Sequence, residues 1–264
     1  MTSKNDFVEL VEKTELLRKL HGNPEMLVLA NVWDAGSAGV VASAGFPAIA
    51  TTSAGVAWSL GYEDHQKTPV DEMLAAAARI TRVVDVPVTV DFEGGYGLDP
   101  SEIATRLIDA GACGLNFEDT DHDSGGLVEA TEQAERIAQI KRAGQAAGVD
   151  LVLNARVDVF IQGNGTFQEQ VAEGLRRARM YRDAGADCLY PILLSDKSVI
   201  SEFVHAVEVI NINLRPGGDL SLQDVAGLGV RRVSYAVSLF REVAGTVEER
   251  AGVIFGEAQE LTYS

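Results

Sequence analysis

The sequence predicts an α/β protein: a single (β/α)8 TIM-type barrel domain over residues 1–264, with an N-terminal helix before it and a long helix after it. Three observations carry that expectation. A glycine closes a helical stretch and an apolar strand starts one or two residues later, again and again: "ASAGFPAIATTS", "IDAGACGLNFED", "QAAGVDLVLNAR", "RDAGADCLYPIL" and "AGLGVRRVSYAV". Gly111, Gly148 and Gly185 are spaced 37 residues apart, about one strand-loop-helix unit. The strands are nearly continuous apolar runs, as parallel strands covered on both faces require.

In chain order, a helix is expected over about 6–20, then strands at 26–32, 48–53, 86–93, 114–119, 151–157, 188–194, 208–213 and 231–237. Eight strands separated by helices favour a barrel over a doubly wound sheet. "PVDEMLAAAARITRVV" starts on a proline suited to a first helical turn. "TFQEQVAEGLRRARMYRDAG" has helical apolar spacing and a glycine stop. The last helix, about 238–260, carries an apolar stripe with few partners left inside a closed barrel. It either packs on its own barrel or serves a second subunit.

Composition narrows the function. Hydrophobic residues make up 46% of 264, enough for a large core, and the net charge is −17. A surface this acidic repels phosphate backbones and anionic lipid, so neither nucleic acid nor a membrane is an expected partner. An anionic substrate would need a local cation. The first residues, "MTSKNDFVEL", have no apolar signal core and no apolar run approaches about 18 residues, so a cytoplasmic location is expected. Cys113 and Cys188 read as buried free thiols rather than a disulfide or metal pair.

Active sites of such barrels lie at the C-terminal strand ends. There the sequence places Asn31 and Asp34, then Thr51, Thr52 and Ser53, then Asp91 and Glu93, Glu118 and Asp119, Asn154, Arg156 and Asp158, and Asn211, Asn213 and Arg215. Asp91 and Glu93 are two apart and so share one side of a strand, with Glu118 ending the next. Three carboxylates at one mouth call for a cation, and oxygen donors suit Mg²⁺ or Mn²⁺. The alternative is helix caps or solvated rim charges. Glycines 94, 95 and 97 would let loop backbone pass close to a ligand. Arg156 is the cation suited to a substrate carboxylate, unless a salt bridge to Asp158 or Glu118 holds it. No lysine ends a strand, which disfavours a Schiff-base aldolase. His65 and His122 fall in loops where a histidine could carry a proton.

The ordered set "NVWDAGSA", "TTSAGVAWSLGYEDH", "VDFEGGYG", "NFEDT", "NARVDVF" and "GADCLYP" resembles the isocitrate lyase/phosphoenolpyruvate mutase superfamily over roughly residues 26–240. The resemblance implies a Mg²⁺-dependent enzyme on a small 2-oxo or 2-hydroxy acid, or a phosphonate, that stabilises an enolate-like species while a C–C or P–C bond changes. It implies metal-binding acids at Asp91, Glu93 and Glu118, and a further acid of the metal and water shell at Asp64. It implies substrate-binding positions at Thr52, Ser53, Ala54 and Arg156, with Asn213 grouped beside them. It also implies a homodimer or homotetramer that exchanges the last helix. The loop "DTDHDSGGLVEATE" lacks the Cys and Lys of the lyases, and Ile192 replaces an acid that several of them carry. That leaves His122 or Asp123 as proton carriers and points to a divergent member, phosphonomutase-like in sequence, acting as a C–C lyase or decarboxylase. A P–C mutase or hydrolase, and a non-catalytic metal- and acid-binding barrel, are the alternatives.

Overall fold

The computed structural model describes residues 4–162 and 164–262; the remaining positions of the expected domain, 1–3, 163 and 263–264, lie outside the described residues. Eight parallel strands form the centre. They are β1 (Leu27–Leu29 continuing as Asn31–Val32), β2 (Ile49–Thr51), β3 (Val88–Asp91), β4 (Gly114–Glu118), β5 (Val152–Val157), β6 (Cys188–Pro191), β7 (Asn211–Asn213) and β8 (Arg232–Ser234). Each pairs in parallel with its successor from β1 to β6. A parallel bridge between Leu189 and Ile210 joins β6 to β7, β7 pairs with β8, and β8 returns to β1 with Leu27 opposite Arg232. The ring is therefore closed, and each expected strand is present.

The strands are shorter than the apolar runs that announce them, because their last residues turn out of the ladder. Strand β3 stops at Asp91, and Glu93 takes a left-handed backbone with φ of 46°. This corrects the expectation that Asp91 and Glu93 project from one side of a strand: a turn, not strand alternation, aims Glu93. Gly95, at φ of 91°, packs so tightly that a Cβ there would meet Ile103 at 2.7 Å. A small antiparallel hairpin after β4, Thr120–Asp121 with Gly126–Leu127, was not visible as a sequence pattern.

The core is apolar between strands and helices, with Leu29, Ile49, Val90, Phe117, Leu153 and Val233 all buried. Inside the barrel it is polar. The guanidinium of Arg232 on β8 donates from Nη2 to Asn116 Oδ1 on β4 at 3.1 Å, and Asn154 Nδ2 donates to the same oxygen at 2.8 Å. Strands β8 and β4 are far apart around the ring, so these contacts run through its interior. The helix Lys4–Gly22 lends His21 to this network: His21 Nε2 lies 3.2 Å from Arg232 Nη1, while its Nδ1 donates to the Leu17 carbonyl at 2.8 Å. Both cysteines are free and buried.

The final helix, Ser238–Thr262, touches the barrel through Phe240, whose ring packs 5.1 Å from Trp33 and 5.5 Å from Trp58. Beyond it the helix is exposed from Arg241 to Leu261, including Val247, Ile254 and Phe255. Among the described residues, no helix is long and apolar enough to cross a membrane.

Candidate active site

The C-terminal ends of β2 to β5 and their loops bring most of the expected residues together. Glu118, the last residue of β4, is buried, and its Oε2 pairs with Arg156 Nη2 at 2.5 Å. Its Oε1 meets His122 Nε2. Glu93 is buried too, with Oε2 accepting the Gln66 backbone N–H at 2.8 Å and Oε1 accepting the Tyr96 hydroxyl. Ligand atoms of Glu93, Glu118 and His122 all lie within 4.8 Å of one another, so the three could share one metal ion. Asp64 lies within electrostatic reach of all three, and its Oδ1 is buried with no hydrogen-bond partner.

Asp91 stands slightly apart. Its Oδ2 accepts the backbone N–H of Ser53 at 3.0 Å, its own N–H donates to Thr51 Oγ1 at 2.8 Å, and Asn116 Nδ2 lies 3.5 Å from its Oδ1. Asp91 thus anchors the start of the helix Ser53–Leu60, whose N-cap is Thr52 and whose first residues, Ser53 and Ala54, are buried. Arg156 forks onto Asp158, Nε to Oδ1 and Nη2 to Oδ2, both at 2.7 Å. The salt bridges considered from sequence are both present, and the arginine still sits against Glu118. Asn213, which ends β7, lines a cleft of about 290 Å³ with Leu194, Ser195, Leu214 and Arg215. A larger cleft of about 790 Å³ opens beside the acids, walled in part by His65, Gln66, Tyr96, His122 and Arg136.

The electrostatics are those of crowded, buried acids with Arg156 as the cation against Glu118 and Asp158. Burial first, and then the neighbouring Glu118, push Glu93 up to about 8. Burial also drives Glu118 well above the usual carboxylate range, although Arg156 opposes the shift. Burial lowers His122, which favours its neutral, ligand-competent form.

Sequence reasoning missed four residues here. Tyr96 and Gln66 hold Glu93, and their only signal was proximity to "FEGG" and "YEDH". Asn116 and Arg232 lie inside the barrel, where only two polar residues within apolar strands hinted at them.

A closed parallel barrel with an acid cluster at its C-terminal strand ends has the architecture of a (β/α)8-barrel enzyme. Comparisons with known proteins specify it. The family model for phosphoenolpyruvate phosphomutase matches residues 17–255. The chain is 36% identical, with a TM-score of 0.86, to a crystal structure of a Burkholderia cenocepacia J2315 protein assigned to the phosphonomutases, over 92% of this chain and 98% of that one. It is 28% identical to the 2-methylisocitrate lyase of Escherichia coli (strain K12), over 82% of this chain and 76% of that protein. It is 26% identical, with a TM-score of 0.78, to the structure of 2,3-dimethylmalate lyase, covering 90% of this chain and 85% of that one. The chain belongs to the phosphoenolpyruvate phosphomutase family, within the PEP mutase/isocitrate lyase superfamily, and is a carbon–carbon lyase or mutase-like enzyme.

Proposed function

We propose that the protein is a Mg²⁺- or Mn²⁺-dependent lyase that cleaves a C–C bond in, or decarboxylates, a small 2-oxo or 2-hydroxy carboxylic acid. The observation that carries this reading is the convergence of buried Glu93 and Glu118 with His122, their ligand atoms within 4.8 Å of one another and Asp64 in electrostatic reach, a donor set that fits a divalent cation. Such an ion supplies Lewis-acid stabilisation to negative charge growing on a carbonyl oxygen. Glu93 and Glu118 would hold it directly, with Asp64 and Asp91 taking its water shell or completing its ligands.

The chain's own groups do the rest. Tyr96 and the Gln66 N–H orient Glu93. Asp91 fixes Ser53 and hence the Thr52-Ser53-Ala54 turn, which offers the Thr52 and Ser53 hydroxyls and the Ala54 N–H to a substrate carboxylate. Arg156, held by Asp158, supplies the positive charge that an anionic substrate needs in so acidic a protein. Asn213, at the C-terminal end of β7, is the substrate-binding position on the far side of the mouth. We further assign a homodimer or homotetramer, supported by the exposed apolar residues along Ser238–Thr262.

A second reading, a phosphonate P–C mutase or hydrolase, is favoured by the 36% identical Burkholderia structure. Turnover of oxaloacetate, 2-methylisocitrate, malate-type acids, phosphonopyruvate and phosphoenolpyruvate, each with metal and with EDTA, separates the readings. Metal-dependent release of pyruvate or glyoxylate from a carboxylic acid supports the lyase, and Asp91→Ala should abolish it. Turnover of phosphonopyruvate alone would replace the lyase with the second reading. Metal-dependent oxalate binding without turnover would leave a non-catalytic barrel.

A further inference from the structure

We infer that His122 is a direct nitrogen ligand to the catalytic metal, giving a mixed carboxylate–imidazole site that prefers a transition-metal ion to Mg²⁺. This rests on the metal-dependent reading above and names the ion class that it takes.

The geometry is local and specific. His122 follows Glu118 by four residues, and the hairpin Thr120–Asp121 with Gly126–Leu127 folds it back over the acid that ends β4. Its Nε2 lies 2.5 Å from Glu118 Oε1, and it joins the convergent group with Glu93. Two rigid features hold it there. At the hairpin tip, Asp121 Oδ1 accepts the Asp123 N–H at 3.0 Å, and Asp121 O accepts the Gly125 N–H at 2.8 Å. At the base, the Val128 N–H donates to the Asp119 carbonyl at 2.8 Å. The ring is also flanked by His65, with centroids 5.8 Å apart. An imidazole placed among acids by a braced hairpin is better suited to staying on an ion than to shuttling a proton to and from solvent.

The chemistry then sets the ion. Mg²⁺ demands near-octahedral oxygen donors and keeps its waters. Imidazole nitrogen favours later first-row ions, with affinity rising from Mn²⁺ to Co²⁺. Two carboxylates and one neutral imidazole therefore bind Co²⁺ and Mn²⁺ more tightly than Mg²⁺. Asp64, in electrostatic reach of Glu93, Glu118 and His122, has a buried Oδ1 with no hydrogen-bond partner and so is free to serve the ion's water shell.

The test uses the full-length protein stripped of metal. Mg²⁺, Mn²⁺ and Co²⁺ are titrated calorimetrically, and the Mn²⁺-loaded protein is examined by pulsed EPR for ¹⁴N coupling. We expect ¹⁴N coupling in the wild type and none in His122→Asn. We also expect that substitution to cut Co²⁺ affinity by about ten- to hundred-fold while leaving Mg²⁺ affinity nearly unchanged. Binding of all three ions with no ¹⁴N coupling in the wild type would overturn the inference and leave the metal-dependent reading standing. Failure of the wild type to bind any ion would overturn both. The wild-type spectrum decides even if the variant fails to fold.

Discussion

The mouth and the interior floor of this barrel invert each other's electrostatics. At the mouth, Asp158, Glu118 and Asp91 gather around Arg156, with Glu93 and Asp64 adding further negative charge beside Glu118. On the floor, fully buried Arg232 has the neutral partners Asn116 and His21, and its Nε has none. A chain that needed only stability could have paired this cation with an acid. Instead Asn116 stands between Arg232 and Asp91, spending its Oδ1 on the arginine and turning its Nδ2 toward the carboxylate. The arginine's field reaches Asp91 without a contact that would consume the acid. The difference teaches that the mouth concentrates negative charge where a bound cation would be favoured, whereas the floor holds one buried cation among neutral partners.

Removing an acid and removing the buried cation should therefore act in opposite ways. Glu118→Gln should take metal-dependent turnover to background while the melting temperature of the stripped protein holds or rises, because burial already favours the neutral acid there and Arg156 keeps its fork onto Asp158. Kinetics and a thermal melt check both halves. Arg232→Met should instead unfold the protein more easily, by about 1–3 kcal/mol, because it strands the buried His21 Nε2 and leaves Asn116 Oδ1 with Asn154 alone. Denaturant unfolding of the stripped protein measures it.

The floor also predicts a pH dependence. Burial first, and then the charge of Arg232, lower His21 to about 3 from 6.5. Between those values the unfolded chain takes up a proton that the folded one refuses. Stability should be fully present above about pH 6.5 and fall as the pH drops toward 3, by roughly 1.4 kcal/mol per pH unit from this group. His21→Gln should flatten that part of the unfolding profile. At the small end, Arg142→Ala breaks an exposed pair with Glu135 and should not move the melting temperature measurably.

What the sequence showed and what it hid divide along the same line. The barrel was legible because its helix-closing glycines and apolar runs are local patterns. The acids of the mouth were legible because strand ends are where such a fold places chemistry. The hairpin that folds His122 over Glu118 was not, since its four strand residues, Thr-Asp and Gly-Leu, carry no β pattern. The aim of Glu93 was misread because a left-handed turn replaced the expected strand alternation. Arg232 could not have been placed: its partners come from Asn116 and His21, 116 and 211 residues away, and only closing the ring brings them together.

The most direct test of the acidic mouth as a cation site is the melting temperature of the metal-stripped protein as a divalent ion is added. At a hundred times the dissociation constant, binding should contribute about 2.7 kcal/mol. For a domain of this size that is a rise of roughly 5–10 °C, and Glu93→Gln with Glu118→Gln should lose it. A wild-type melting temperature indifferent to Mg²⁺, Mn²⁺ and Co²⁺ would contradict the account.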